Sequence, residues 1–229
     1  MTTKEFSDAI DSLLIPHNIT LDEYEKSLFL TQAQEQIVIE LYSGRSNKVS
    51  SFESTEELRS NLRDLIKTEV LTKSTQNNKG VSKYSNFFIK PPDVLFITYE
   101  FATLSDEEAK CKNGDIISVI PITQDELEKV LKNPFRGTSI RRALRLDNSQ
   151  NIIEIISKYN IKDYTIRYLA KPTPIVTANL AESSMESVLI DNVNIITECK
   201  LDSAIHRPIL ERAVALAIAN RSTQNKSNV

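Results

Sequence analysis

Two hydrophobic rhythms divide this chain. In its first third and at its end, apolar residues recur every three or four positions. Leu21, Tyr24 and Leu28, then Leu30, Ala33, Ile37 and Leu41, share one helical face that ends near Gly44. Leu58, Leu62, Leu65 and Ile66 form a second stripe, and Leu127, Val130 and Leu131 form a third that Asn133-Pro134 stops. Before each stands a hydroxyl with a carboxylate three residues on: Thr20 with Glu23, Ser54 with Glu57, Thr123 with Glu126. Such a pair can satisfy two backbone N–H groups left open at a helix start. A last helix is predicted over 205–220, with Ile205, Ile209, Ala213 and Leu216 in its stripe. Pro208 then falls in the first turn, where its missing N–H costs nothing.

The middle follows a different rhythm. Segments 69–73, 83–89, 94–104 and 116–122 are rich in Val, Ile, Phe, Tyr and Thr, and turn-forming clusters at 74–80, 91–93 and 105–115 separate them. They predict antiparallel strands with two polar hairpin loops. Further strands are expected at 140–146, 152–156 and 164–170. In the last of these Tyr164, Ile166 and Tyr168 alternate with Thr165, Arg167 and Leu169, which suits a strand with unlike faces. Lys171-Pro172-Thr173-Pro174 then breaks regular structure. The expectation is an α+β protein, with N-terminal helices and one C-terminal helix around a mostly antiparallel β-rich middle with extended hairpins. It is read as one domain over 1–221, helical in 1–67 and β-rich in 68–200, followed by an unstructured tail at 222–229.

Composition narrows the function. The chain has 229 residues, 40% of them apolar and 26% charged, an ordinary soluble balance. Its apolar runs are too short to span a bilayer, and Met-Thr-Thr-Lys-Glu-Phe lacks the apolar core of a leader. Synthesis in a cytoplasm and no membrane partner are therefore expected. A net charge of -3 gives no general pull toward nucleic acid. Gly44, Gly80, Gly114 and Gly137 are isolated, so none builds a phosphate cradle, and Cys111 and Cys199 read as free thiols.

Reactive groups are sparse. His17 follows a proline in what reads as a solvated loop, and His206 opens the last helix, where capping or packing fits better than general base work. Asp106-Glu107-Glu108 sits with Lys110 and Lys112 in a loop, whereas Asp125, Glu126 and Glu128 favour a helix macrodipole, and neither set has calcium-loop spacing. No catalytic residue, metal or cofactor is predicted. One basic group stands out: Arg136, Arg141, Arg142 and Arg145, with Arg167 as a neighbour. It suits phosphates of passing DNA or an acidic neighbouring subunit, but with no aromatics interleaved and a negative net charge an ordinary charged strand face fits it better. Phe87, Phe88, Phe96 and Phe101 flank the two hairpin loops, either as interface material for another chain's sheet edge or as core.

Four stretches carry a family resemblance. The last helix, from Ile205 and His206 through Ile209, Arg212 and Ala213 to Ala217, is similar to a pattern L-H-R-x-I-L-x-R-A-V-x-L-A near the C-terminus of neck proteins in crAss-like tailed bacteriophages. Leu21-Asp22-Glu23-Tyr24-Glu25-Lys26-Ser27, residues 121–135, and residues 168–175 resemble the same family in the same order. Pro208 stands where the family often has an acidic residue. The resemblance implies a structural ring or head–tail adaptor of the virion neck, assembled in the bacterial host cytoplasm. It would form a homo-oligomer, a dodecameric ring, stacked below the portal protein and next to other neck and tail proteins. Such a ring extends the DNA conduit without reading sequence, and it needs neither cofactor nor catalytic residue. A DNA-binding accessory or packaging protein using the 136–145 arginines is the alternative.

Overall fold

Strands occupy the middle of the chain and helices precede and follow them, as expected of an α+β protein. The computed structural model describes residues 1–43, 60–74, 80–105, 114–149, 151–180 and 189–227. The Ser54–Glu57 cap, Leu58, Gly44, Cys111, the acidic cluster at 106–108 and the tips of both predicted hairpin loops lie outside them. Two compact units emerge, one of residues 1–65 and 171–229, the other of residues 66–170.

The helical unit contains α1 (Thr3–Leu14), α2 (Glu23–Ser43) and α4 (His206–Ser227). The hydrophobic-stripe reading assigns no helix to 3–14, yet Thr2 and Glu5 close a reciprocal capping box there and Phe6, Ile10 and Leu14 are buried. At α2 the cap sits two residues later than predicted. Asp22 Oδ1 accepts from Glu25 N at 2.7 Å and Glu25 Oε2 from Asp22 N at 3.4 Å, so Thr20 and Glu23 are not the pair. Glu23 instead takes Lys26 Nζ at 2.8 Å, and the same buried ammonium reaches the more exposed Asp11 at 2.6 Å and Ser7 at 3.0 Å. α4 begins after a 3-10 turn, Ser203–Ile205, and is helical to Ser227, so 222–227 continue the helix where a tail was expected. Arg221 meets Glu25 near the start of α2, and Arg212 meets Glu40 near its end. The two helices therefore run antiparallel.

Residues 171–200, expected with the β-rich middle, belong to this helical unit. Segment 173–177 lies along α2 and bonds to a polar row on it. Gln34 Nε2 donates to Thr173 O at 3.1 Å, Thr31 Oγ1 accepts from Ile175 N at 3.1 Å, and Ser27 Oγ accepts from Thr177 N at 3.0 Å. Ser27, Thr31 and Gln34 are buried at positions i, i+4 and i+7, one helical face given to backbone partners.

The second unit is one seven-stranded sheet: β1 (Ile66–Leu71), β2 (Asn86–Ile89), β3 (Val94–Leu104), β4 (Ile116–Ile122), β5 (Arg142–Ser149), β6 (Ile152–Ile156) and β7 (Ile161–Ala170). Its order is β1-β7-β3-β4-β5-β6-β2. Ile66, predicted as helical, opens β1. Neighbours are antiparallel except β4 and β5, which run parallel because α3 (Leu127–Lys132) carries the chain across between them. Asn133 ends α3 as predicted, but its N-cap is Glu126 without a side-chain bond, so the Thr123–Glu126 box does not form.

Three register shifts along β3 and β7 let the sheet bend, and its two edge strands meet. Lys73 bridges Phe88, Ser74 N donates to Phe87 O at 2.8 Å, and Ile89 N donates to Thr72 O at 2.9 Å. The inward positions Phe88, Ala102, Leu104, Ile117, Val119, Ala143, Ile153, Ile155, Tyr164, Ile166 and Tyr168 fill the curl. On the outer face Leu144, Leu146 and Ile156 pack against Val130 and Leu127 of α3. Ile66 pairs with Leu169, so the chain enters and leaves this unit on adjacent strands.

Candidate interface surfaces

Alternation along β5 separates the four arginines that the sequence groups together. Arg145 shares parity with Ala143 and points into the curl, where its side chain is only 13% exposed. Its Nη1 donates to Glu100 at 3.3 Å, and Asp147 lies 3.6 Å from Nε. Tyr164 donates its hydroxyl to the same Glu100 carboxylate. Burial pushes the Glu100 carboxyl above the usual carboxylate range despite Arg145, and burial together with Glu100 pushes the Tyr164 phenol up. Arg145 is thus a partner of a buried acid, which leaves it unable to reach a ligand outside.

Arg142 has the opposite parity and is committed locally. Its Nε donates to Gly137 O at 3.0 Å and its Nη2 to Phe135 O, so it ties the loop after α3 to the start of β5. Arg141 lies in the turn before β5 rather than on the strand, and its carbonyl accepts from Ser118 N at 3.1 Å. Arg136 and Arg141 are exposed. Arg167 is exposed on β7, where its Nε reaches Thr68 at 3.4 Å.

The four phenylalanines also divide. Phe88 is buried and stacks at a tilt on Tyr164, with ring centroids 5.3 Å apart, so it is core. Phe87, Phe96 and Phe101 are half-buried, and Phe101 lies 5.8 Å from the ring of the exposed Tyr99. β3 pairs with β7 along its length and with β4 over Phe101–Thr103, so Phe101 lies between two neighbouring strands.

Ile205 at the end of the 3-10 turn and Ile209 and Ala213 of α4 are buried. His206 is buried as well: Nε2 bonds Leu201 O at 3.0 Å, Nδ1 lies 2.6 Å from the Met1 amine, and the ring is tilted on Phe6 at 5.5 Å. Packing is therefore its role. Arg212 forms a fork with Glu40, at 2.8 and 3.0 Å, which holds the Glu40 carboxyl below its usual range. Beside this fork Ile37, Leu41, Ile205, Pro208 and Ala215 line an apolar groove of about 370 Å³, rimmed by Glu40, Glu211 and Arg212. His17 is exposed. Asp125, Glu126 and Glu128 are exposed at the start of α3, and a bond from Thr123 holds the Asp125 carboxyl below its usual range. Among the described residues no group of three or more His, Cys, Asp or Glu is placed to hold a metal ion, and no helix is long and apolar enough to cross a membrane.

Comparison with known proteins gives these surfaces a context. The phage tail ring protein 3/4 family matches residues 1–229. Ring protein 3 of Bacteroides phage crAss001 is 47% identical over 233 residues, an alignment covering 99% of this chain and 100% of the relative. Ring protein 4/5 of the same phage is 31% identical over 230 residues, covering 96% of this chain and 93% of the relative.

Proposed function

The chain belongs to the phage tail ring protein 3/4 family, and from that premise we propose that it is a structural subunit of the virion neck. Copies of it close into a ring, twelve in number, below the portal protein; the ring joins head to tail and extends the channel through which DNA passes. The match to Ring protein 3 from end to end carries this reading, because it covers both units. The work is done by contact surfaces, with no reaction centre. Closure requires a heterologous interface, one face of a subunit meeting a different face of the next. Negative-stain microscopy of the purified protein, alone and with portal-bearing particles, tests it. Rings, or decoration of the portal vertex, are expected; a protein that does neither is not a neck ring.

The accessory DNA-binding alternative loses ground to geometry. Arg145 is spent on Glu100 and Arg142 on loop carbonyls, which leaves Arg136 and Arg141 of the original four exposed. Two cations on a chain of net charge -3 suit a lumen that DNA slides past better than a surface that grips it.

A further inference from the structure

The loop between α3 and β5 presents an aromatic ring to solvent on a stiff backbone. Phe135 is 86% exposed, the highest value among the large exposed hydrophobic residues described. Yet its backbone is held from several sides. Asn133 Oδ1 accepts from Phe135 N at 2.9 Å and from Arg136 N at 3.3 Å, and Asn133 O accepts from Gly137 N at 2.8 Å. Arg142 donates to the carbonyls of Phe135 and Gly137. Gly137 is buried against the end of α3, where a Cβ would stand 3.0 Å from Asn133 O and 3.3 Å from Val130 O. A loop that merely tolerated an outward phenylalanine would not need this scaffold. Leu131 and Ile140 are exposed in the same stretch, and Arg136 follows Phe135 directly. A rigid aromatic with an arginine beside it is the composition of an interface anchor, since little side-chain entropy is lost when it is seated.

We infer that Phe135 is a knob that enters the groove between α2 and α4 of a neighbouring copy of this chain. The inference rests on the ring reading above. The groove suits the knob chemically, with Ile37, Leu41, Pro208 and Ala215 in its lining and carboxylates on its rim. Glu211 on that rim makes an exposed pair with Arg207 at 2.9 Å, which exchanges for Arg136 at little cost. The knob and the groove belong to different units of the chain, and each is used once per subunit. That is the arrangement a head-to-tail ring requires.

Wild type, Phe135→Ala, Ala215→Trp and an equimolar mixture of the two variants are compared by analytical ultracentrifugation, with melting temperature as the control for folding. Both substituted side chains are exposed, so both variants melt like wild type. Phe135→Ala raises the midpoint concentration of self-association about 30-fold or more, as loss of a hot-spot residue does. Ala215→Trp, with its groove filled, does the same. The mixture forms a dimer of one copy of each, because one intact knob then meets one intact groove. Phe135→Ala associating like wild type, or a mixture that stays monomeric while wild type associates, overturns the pairing and leaves the ring reading standing. Wild type that neither self-associates nor decorates portal-bearing particles removes the ring reading and this inference with it.

Discussion

Arg145 and Glu100 show how one side chain's partner decides its role. An acid and a base buried together in the curl stabilise each other only as a pair, because removing either leaves a charge without solvent. Arg145→Ala is expected to destabilise the sheet unit by about 3–5 kcal/mol. Arg136→Ala and Arg141→Ala, being exposed, should stay within ~0.5 kcal/mol of wild type. Urea denaturation followed by far-UV circular dichroism separates these outcomes; equal losses at all three would place Arg145 on the surface. The carboxylates also carry opposite pH signs. The Glu100 carboxyl is raised by burial, so its contribution favours the fold at low pH and is lost as pH rises through its folded value. Burial opposes ionisation of Glu23 too, but bonds from Lys26, Thr177 and Ser7 outweigh it, and Arg212 lowers Glu40. Both of these contribute above the ordinary value of 4.5, and the contribution is lost as pH falls through their lower folded values. Hydrogen exchange measured from pH 6 to pH 3 should therefore loosen α1 and α2 before β3 and β7. Simultaneous loosening would contradict the assignment.

At the scale of elements, the start of α2 offers a sharp discrimination. Asp22→Ala removes the observed cap and should cost about 1 kcal/mol, whereas Thr20→Ala removes only the predicted one and should cost little. Thermal melts of the two variants decide the register. The strands were largely legible, because β3 and β4 are bounded by prolines, glycine and polar clusters, and their segments alternate or run apolar as strands do. Helix α1 carried a readable signature in Thr2, Glu5, Phe6, Ile10 and Leu14. Ile66 was not legible: it continues an apolar stripe, and only its pairing with Leu169, over a hundred residues away, makes it a strand. The row Ser27, Thr31 and Gln34 looks like an imperfect helix face until the 173–177 segment supplies its hydrogen-bond partners. The arginines resisted reading for a related reason. Strand alternation alone puts Arg142 and Arg145 on opposite faces, but it does not say that β5 has the curl on one side and α3 on the other.

For the molecule as a whole, the inner and outer clusters of the sheet are complete within residues 66–170. That fragment, produced alone, should give a β-type circular dichroism spectrum and a single cooperative melt; a fragment without a transition would mean its core is borrowed from elsewhere. The pairing of Ile66 with Leu169 carries the point further. Because its first and last strands are neighbours, the two ends of this body stand side by side, and it interrupts the sequence of the other unit as an inserted cassette does. Recombination at those two cut points would hand a phage a new β body with the helical framework untouched, and a tight turn spliced in its place would leave the helices joined. Ring proteins built on this plan can therefore diversify one body while the other keeps its own packing.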